Sequence, residues 1–268
     1  MQDAHAAAPD SRDWVAVSIV SHGHGPFVQR LLADLAVHCA GSVARVVLTH
    51  NLPEADPSPP VGGWPFALEV RRNAQAAGFA ANHNRALRGA REAWLCVLNP
   101  DVRLCSGDTA NPFPALLHAA QQPGVGCAYP QQLDLEGCIQ DSERDLPTPL
   151  ALVRRRLLGR HETRADWVNA ACLVLPSAVW QQLGGFDERY FMYCEDVDLC
   201  MRVRLLGLGL QRANAQVIHA GTRASRRQLR HLAWHLASLL RLWRSRAYRE
   251  GRALLQAQRS AANSARIP

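Results

Sequence analysis

The sequence predicts an α/β fold in which a mixed, mostly parallel sheet is flanked by helices and followed by a C-terminal amphipathic helix. Two observations predict this class. Short apolar runs alternate with polar turns and helical segments four times in the first part of the chain, which is typical of parallel strands joined by helices. A leucine-rich stripe at helical spacing occurs near the C-terminus. With 268 residues, the chain can form one large domain with an appendage.

The N-terminal half contains four apolar runs, each of which predicts a buried strand. A polar turn after the first run leads into a segment with helical spacing, and a proline-rich loop covers residues 53–65. The fourth run ends at Asn99-Pro100-Asp101. The predicted strands are residues 15–20, 44–49, 67–71 and 93–98, and the predicted helices are residues 27–39 and 78–91.

The C-terminal half is less regular. A turn-rich, arginine-rich connection covers residues 134–166, and the last dozen or so residues predict a polar tail. The predicted strands are residues 125–129, 167–175 and 211–219, and the predicted helices are residues 195–206 and about 226–248. The apolar stripe of the last helix consists of Leu229, Leu232, Leu236, Leu239, Leu240 and Trp243.

The positive charge of the chain is carried by arginine alone. The formal net charge is +7, and the sequence contains no lysine. Such an excess can attract nucleic acid, anionic lipid or phosphorylated ligands. Because the chain has no recognisable nucleic-acid-binding motif and no aromatic residues interleaved with its arginines, we expect no nucleic-acid partner.

The cysteines and the N-terminus predict a cytoplasmic protein. No C-x-x-C pair occurs, and Cys96, Cys127 and Cys172 lie inside apolar runs, as reduced core thiols do. The first residues lack the basic and apolar regions of a secretory signal, and no apolar run reaches the roughly 18 residues that span a bilayer. His231 and His235 lie one helical turn apart without the glutamate of H-E-x-x-H, so a zinc site is not expected.

Three carboxylates follow a glycine turn and an aromatic patch in the segment GGFDERYFMYCEDVDLCMR, residues 184–202. Glu195, Asp196 and Asp198 open the predicted helix, and a helix start beside an apolar surface is suited to hold an anion or a general base. Acidic residues are also favoured in the first turn of any helix, by about 0.3–1 kcal/mol each. Catalysis and simple capping are both compatible with these residues alone.

Polar side chains end several of the predicted strands. In open parallel sheets, ligands bind at the carboxyl ends of the strands. The turn after the first strand lacks the third glycine of a dinucleotide fingerprint, so a nicotinamide cofactor is not expected. The side chains at these ends are Ser21, His22, Asn51, Asn73 and Asp101.

Six ordered segments resemble a known family. They are the first strand with its polar turn, RNAQAAGFAANHN (residues 72–84), LNPDV (98–102), DWVNAACLVL (166–175), GGFDE with FMYCEDVDLCMR (184–202), and VIHAG (217–221). This order resembles family 2 of the inverting glycosyltransferases, which have the GT-A fold, and within it the rhamnosyltransferase-like branch.

The resemblance implies a nucleotide diphosphate sugar as donor and a divalent metal, Mg²⁺ or Mn²⁺, on its diphosphate. It places Asp101 and His219 as metal ligands. The family's D-x-D motif is reduced here to Asn99-Pro100-Asp101, so that one carboxylate becomes an amide, a weaker ligand for hard cations.

The resemblance also assigns the catalytic base. The family places this role on the second acid of its E-D pair, which is Asp196 here, with Glu195 as the nearest competitor. Asp198 has either a structural or an acceptor-orienting role, and the resemblance places it with Trp167 and Tyr193 on the acceptor side.

Residues Asn73 to Asn84 match the family's N-x-G-F-A-x-x-x-N signature. The resemblance therefore adds residues of this segment to the polar strand ends as donor-binding residues. Two departures concern the same side of the site: His50 replaces an acid that commonly contacts the nucleobase, and Asn169-Ala170 replaces a serine-glycine pair. The implied donor-binding residues are Ser21, His22, Asn51, Asn73, Gly78, Asn82, Asn84, Asn99 and Asp101.

The implied reaction is transfer of a sugar, with rhamnose favoured, to a hydroxyl of a bacterial surface glycan or a lipid-linked acceptor. The corresponding domains are a tail (1–13), a catalytic domain (14–222) whose nucleotide-binding half ends near residue 102, and a basic helix with a tail (223–268). That helix has two possible roles: it packs on the catalytic domain only, or it packs there and also contacts an anionic inner membrane. Two rival functions are a sugar nucleotidyltransferase and a degenerate sugar-nucleotide-binding protein. The oligomeric state does not follow from the sequence.

Overall fold

The computed structural model describes residues 14–105, 107, 110–149, 165–221 and 229–264. This part of the chain contains ten strands, eight of which form one sheet while the other two form a separate pair. The strands are β1 (Val15–Ser21), β2 (Val43–His50), β3 (Ala67–Arg72), β4 (Trp94–Leu98), β5 (Val102–Leu104), β6 (Val125–Leu133), β7 (Glu143–Arg144), β8 (Trp167–Val168), β9 (Cys172–Pro176) and β10 (Gly209–His219).

The large sheet has the strand order β3-β2-β1-β4-β9-β6-β10-β5. Four neighbouring pairs are parallel, whereas β9 and β5 run antiparallel to their neighbours. The predicted mixed, mostly parallel sheet is therefore confirmed. Ser21, His50 and Arg72 are aligned in register on three adjacent strands, so the polar strand ends meet at one edge of the sheet, where ligands bind in such folds.

Helices cover both faces of the sheet and create two apolar clusters. One cluster joins β1 residues such as Val17 and Ile19 to α1 and α3, and the other joins Ala16 on the opposite face to the remaining helices. Alternate residues of β1 thus face opposite layers, as the period of a strand requires. The seven helices of the described chain are α1 (Gly25–His38), α2 (Phe79–Leu87), α3 (Phe113–Ala120), α4 (Ser177–Leu183), α5 (Glu195–Leu205), α6 (Leu229–Arg244) and α7 (Arg246–Ser264).

Two internal elements differ from the sequence prediction. Helix α2 ends at Leu87 instead of residue 91, because Gly89 adopts a positive φ of 72° that ends the helix. The predicted strand over residues 167–175 is interrupted after Val168. The N–H of Asn169 donates to the carbonyl of Ser142 at 3.2 Å, and β8 pairs with β7 instead of joining the large sheet.

The C-terminal segment forms two helices instead of one helix and a tail. The Ser245 hydroxyl accepts a hydrogen bond from the N–H of Tyr248 at 3.1 Å, which is N-cap geometry and starts α7. The predicted polar tail is wrong up to Ser264, because α7 continues to that residue and packs against α5. The predicted N-terminal tail (1–13) and residues 150–164, 222–228 and 265–268 lie outside the described residues.

The predicted apolar stripe of α6 is divided between two faces. Leu239 is buried, as predicted, together with Leu242, which the prediction omitted. In contrast, Leu232, Leu236 and Leu240 are 47%, 53% and 48% exposed and form a single line at a spacing of four residues, which we call the leucine row. Among the described helices, none combines the length and the apolar character needed to cross a membrane.

Candidate active site

An amide network organises the donor side of the site. The Asn51 carbonyl oxygen accepts hydrogen bonds from the Asn73 amide and the Ala77 N–H, both at 2.8 Å. The Asn51 amide nitrogen donates to the Ala77 carbonyl at 2.9 Å and lies 3.1 Å from Nδ1 of His22. Asn73 also donates to the side chain of Asn82 at 2.7 Å. The structure thus brings together four of the predicted donor-side residues.

This network fixes the loop between β3 and α2. Both lone-pair positions and both N–H groups of the Asn51 amide are engaged with other protein groups, and a buried, fully satisfied polar network rigidifies its surroundings. Asn51 and Asn82 are 6% and 1% exposed. Their amides therefore shape the cleft, and their predicted direct contact with a donor stays a prediction.

An acid that the sequence analysis missed lies beside the turn after β1. The Glu54 carboxylate accepts hydrogen bonds from the Ser21 hydroxyl and the Gly23 N–H, both at 2.7 Å. Its side chain is 10% exposed and lies 4.0 Å from Nδ1 of His50. His50 occupies the position where the resembling family usually has an acid, so Glu54 brings a carboxylate to the same strand end from the proline-rich loop.

Gly78 and Asn84 make contacts with the segment that precedes α5. A Cβ atom on Gly78 would lie 2.7 Å from the carbonyl oxygen of Phe191, so only glycine permits this close approach of α2. The Asn84 side chain bonds both backbone groups of Phe186 at 2.8 Å and donates to Glu188 at 3.0 Å. Helix α2 therefore anchors the chain on its way to the predicted catalytic acids.

Asp101 and His219, the predicted metal ligands, lie next to each other. Oδ1 of Asp101 is 3.3 Å from Nε2 of His219, and the side chains are 13% and 14% exposed. The contact follows from the topology, because His219 at the end of β10 pairs with Val102, the residue after Asp101. The N–H of Ala220 also donates to the Asp101 carbonyl at 3.1 Å.

The charge of Asp101 suits a cation site. Burial by itself raises the pKa of the Asp101 carboxyl, but the hydrogen bond and charge of His219, with the charge of His24, outweigh it, and the net pKa is lowered. The carboxylate is thus ionised at neutral pH.

The pair also has a spacing that fits a divalent metal. Two ligands at right angles, each about 2.1 Å from Mg²⁺, lie about 3 Å apart, close to the 3.3 Å between Asp101 and His219. No group of three or more His, Cys, Asp or Glu side chains that could hold a metal occurs in the described ranges. A metal at this pair would therefore share its remaining positions with phosphate oxygens and water, as Mg²⁺ commonly does.

Glu195 and Asp196 begin α5 directly after a strained turn. Tyr193 and Cys194 have φ angles of 72° and 67°, and a left-handed conformation costs a residue other than glycine about 1–3 kcal/mol. Such strain clusters at active sites, where the surroundings enforce it. Glu195 is 6% exposed, whereas Asp196 is only partly buried, so the turn directs one acid inward and presents the other.

The environments of these two acids favour different protonation states. Burial raises the pKa of Asp196 to about 6, against the opposing effects of the Val197 N–H at 2.8 Å and the charge of Arg144. Burial, followed by the charge of Asp196, raises the pKa of Glu195 well above its usual range. With a pKa of about 6, Asp196 is an ionised carboxylate of raised basicity at neutral pH, which is the state that a general base needs.

Backbone contacts connect Asp196 to Asp101. The N–H of Ala170 hydrogen-bonds Asp196, and the carbonyl of Ala171 accepts a hydrogen bond from the N–H of Asn99 at 2.8 Å. Asn99 precedes Asp101 by two residues. The interruption between β8 and β9 therefore lies between the two acids, and the predicted base and the predicted metal pair border one region at the carboxyl end of β4.

Trp167 and Asp198, both predicted on the acceptor side, lie in different environments. The Arg144 guanidinium lies 5.4 Å above the Trp167 ring, and its charge acts on Asp196, so this pair lies beside the base. Asp198 is buried and accepts a hydrogen bond from Arg202 at 2.6 Å within α5. That contact favours the structural alternative for Asp198.

Helix α6 contacts Tyr193, the third predicted acceptor-side residue. The Tyr193 hydroxyl lies 2.9 Å from Nδ1 of His231. Next to it, the ring of Phe191 lies 4.8 Å from the ring of Trp234. The C-terminal helix therefore packs on the segment that leads to the predicted catalytic acids.

Three site residues were missed by the sequence analysis: Glu54, Arg144 and His231. Glu54 lies in an irregular loop and Arg144 in the two-residue strand β7, which is too short to have a period, and neither residue belongs to a family motif. His231 has a signal, its position one turn before His235, but that spacing was considered only for zinc. Asn169, which replaces the serine of the resembling family, forms two side-chain hydrogen bonds with Gln132, at 2.6 and 3.1 Å.

No family model matches the chain, but curated proteins are similar to it. An N-acetylglucosaminyl-diphospho-decaprenol L-rhamnosyltransferase of Mycobacterium tuberculosis is 28% identical over 254 residues, which cover 83% of this chain and 81% of that protein. The rhamnosyltransferase WbbL of Escherichia coli K12 is 24% identical over 259 residues, covering 85% and 91%.

The fold is also found among solved structures. The mannosyltransferase PcManGT of Pyrobaculum calidifontis, solved with GDP-Man and Mn²⁺, superposes with a TM-score of 0.57 at 16% identity, covering 92% of this chain and 75% of that one. These comparisons confirm the predicted GT-A fold and the predicted likeness to rhamnosyltransferases.

Proposed function

We propose that this chain, a glycosyltransferase of the GT-A fold that uses a nucleotide sugar, transfers a rhamnose-like deoxyhexose with inversion to a hydroxyl of a lipid-linked glycan. The observation that supports this most directly is the raised pKa of Asp196, about 6, in a carboxylate that borders the same region as the Asp101–His219 pair. A base and a diphosphate site on one cleft are the two parts that inverting transfer requires.

Asp196 acts as the base in this proposal. The acceptor hydroxyl attacks the anomeric carbon in line with the departing diphosphate and loses its proton to Asp196. Glu195, which is buried and has a raised pKa, is less suited to this role. A positioned general base accelerates such a step by about 10² to 10⁴. The charge of Arg144 lowers the pKa of Asp196 and so favours its ionised form, and the Arg144 guanidinium lies over the ring of Trp167.

Asp101 and His219 would hold a divalent metal at the diphosphate. When bound, such an ion stabilises the charge that develops on the leaving nucleoside diphosphate. The amide of Asn99 lies two residues before Asp101 and offers a neutral oxygen, so we expect it to contribute less than the carboxylate. The amide network around Asn51 keeps the neighbouring loop in place while the donor binds.

The acceptor class is proposed from the named relatives. The name of the mycobacterial relative specifies a diphospho-decaprenol acceptor that carries N-acetylglucosamine. A membrane-anchored acceptor requires the site to reach a bilayer surface. Helix α6, which contacts Tyr193, also carries the leucine row, and Arg241 and Arg244 are exposed on the same helix. Apolar side chains flanked by arginine favour contact with an anionic leaflet, so we place the enzyme peripherally on the cytoplasmic face of the inner membrane.

A transfer assay tests the reaction. Purified protein is given a panel of nucleotide diphosphate hexoses and deoxyhexoses together with a polyprenyl diphosphate N-acetylglucosamine, and the glycosylated lipid is quantified. We expect product with a deoxyhexose donor, and a loss of about 10² to 10⁴ in Asp196→Asn with donor binding retained. Absence of product with every donor, or full activity of Asp196→Asn, would refute the proposal.

Vesicle flotation tests the membrane contact. We expect the protein to bind vesicles that contain phosphatidylglycerol, and the triple variant Leu232→Ser, Leu236→Ser, Leu240→Ser to lose most of that binding. The matched control replaces three exposed apolar residues elsewhere, Val37, Val61 and Leu135, by serine and should bind as the wild type does. Equal binding by both triple variants would exclude the leucine row as the contact.

A further inference from the structure

An arginine-lined cavity lies between the edge strand β3 and helix α2. Its volume is about 390 Å³, and four guanidinium groups surround it, those of Arg71, Arg72, Arg85 and Arg88. None of the residues that line it is acidic. A cavity with this charge is unfavourable when empty of anions, because like charges repel at short range.

Two of these arginines have no partner of opposite charge among the residues that the structure describes. Arg71 forms an ion pair with Glu69 at 2.6 Å, and Arg72 pairs with Asp56. In the part of the chain that the structure describes, no carboxylate lies within 4 Å of Arg85 or Arg88. Arg85 lies in the last turn of α2, and Arg88 is the residue that directly follows the helix. Because they are three residues apart, their side chains lie on the same side of the helix. The cavity therefore carries two uncompensated charges.

Thr49 provides a separate indication of a ligand. This residue lines the cavity, is 3% exposed, and its hydroxyl has no hydrogen-bond partner among the described residues. It is in register with Arg71 on the adjacent strand. Buried hydroxyls are nearly always hydrogen-bonded, so an acceptor atom in the cavity would satisfy this group and the two free guanidinium groups together.

We propose that this cavity is a second anion site, which binds a phosphate group. Guanidinium groups bind phosphate oxygens with paired, charge-assisted hydrogen bonds. No aromatic residue lines the cavity, so there is no surface on which a nucleobase would stack, and a compact anion is favoured over a nucleotide. The phosphate can come from a free phosphorylated metabolite or from a lipid headgroup.

The site is distinct from the diphosphate position of the donor but is linked to the donor side. Asp101 and His219 lie at the ends of β4 and β10, whereas this cavity lies beside β3, three strands away from β4 in the sheet. Asn73 and Asn82 line the cavity and belong to the amide network that holds Asn51. A phosphate bound here would contact that network and change donor affinity.

Titration calorimetry with inorganic phosphate tests the proposal, in buffer that contains a saturating nucleoside diphosphate and Mg²⁺ to fill the donor cleft. We expect saturable binding by the wild type and a loss of about 10-fold or more in Arg85→Gln, Arg88→Gln, since two charge-assisted interactions are removed. The control Arg30→Gln, Arg91→Gln removes the same charge from two exposed positions and should bind as the wild type does. A second arm replaces phosphate with vesicles containing phosphatidic acid, against vesicles of phosphatidylcholine, and identifies the lipid source if only the vesicles bind.

Several outcomes would overturn the proposal. They are absence of saturable binding in both arms, equal loss in the two double variants, or complete displacement of phosphate by the nucleoside diphosphate, which would make the cavity part of the donor site. Because binding is measured without sugar transfer, these results do not depend on the proposed reaction. A protein that transfers sugar but binds no phosphate here would refute only this inference.

Discussion

The hydroxyl of Tyr193 lies 2.9 Å from Nδ1 of His231, and this contact joins helix α6 to the strained turn before Asp196, the proposed catalytic base. Tyr193 and Cys194 both have positive φ angles, and Asp196 follows two residues later. A strained conformation persists only where surrounding contacts enforce it. A second contact on the same helix, from the Ser238 hydroxyl to the Met192 carbonyl at 2.8 Å, supports the same turn.

We predict that His231→Ala lowers kcat by a factor on the order of 10 to 100, because a small displacement of a catalytic group has effects of that size. KM for the donor should change less than kcat, since His231 and Ser238 of α6 contact the turn that leads to Asp196. Steady-state kinetics measure both quantities. Tyr193→Phe, which removes only the hydroxyl, should reproduce the loss, and His118→Ala, at an exposed histidine of helix α3, is the control. If His231→Ala raised KM and left kcat unchanged, His231 would not act through the turn.

The raised pKa of Asp196 predicts a defined pH dependence of activity. Because the base must be ionised, kcat should fall tenfold per pH unit below a midpoint near 6. A rate profile between pH 4.5 and 8.5 measures this midpoint. A profile that is flat down to pH 5 would show that Asp196 is not the group that titrates.

The same pKa predicts an effect on stability with a definite sign. Asp196 binds its proton more tightly in the folded protein than in the unfolded chain, so the folded state is favoured at low pH, and this advantage is lost as the pH rises from about 4 to about 6. Asp196→Asn cannot ionise, so it should unfold at a higher denaturant concentration than the wild type at pH 8. The difference should shrink at pH 4. Urea unfolding at the two pH values tests this, and a destabilised variant at pH 8 would contradict it.

The fold was largely predictable from the sequence, whereas the contacts of the site were only partly so. Strands such as β1 and β2 are short apolar runs bounded by polar turns, which is the pattern of a strand buried on both faces. The break after Val168 was not predicted, because Asn169 is the only polar residue in the segment 167–175 and the interruption depends on pairing with β7. Motif residues such as Asp101 and His219 were predicted as a pair through the resemblance alone.

Residues that act through tertiary contacts have no local signal. Glu54 reaches Ser21 across 33 residues of sequence, and its loop has no periodicity. The same reason explains why the exposed leucine row was predicted as part of a single packed stripe. Helical spacing shows that a face is apolar, but which of two adjacent faces is buried depends on the partner, here the loop before α5 and helix α7.

The Asp101–His219 pair predicts a graded response to mutation. Asp101→Ala should remove nearly all transfer, and His219→Ala should weaken it and raise the concentration of Mn²⁺ needed for half-maximal activity, because a ligand is lost. Asn99→Ala should have a partial effect. Activity measured over a Mn²⁺ titration, with excess chelator as the reference, gives these values. Unchanged activity of Asp101→Ala in chelator would exclude a metal at this pair.

Gly78 predicts a purely steric effect that reaches the active site. A methyl group at this position would lie 2.7 Å from the Phe191 carbonyl oxygen and 2.9 Å from its Cα, both rigid backbone atoms, so Gly78→Ala must separate α2 from the segment that leads to Tyr193. We expect a loss of about 1–3 kcal/mol in the free energy of unfolding, measured by urea denaturation, together with a lower kcat. Gly41→Ala is the matched control, since a Cβ there meets no atom within 4 Å and its φ is ordinary. If Gly78→Ala were as stable and active as Gly41→Ala, the close packing of α2 against Phe191 would not be what positions the acids.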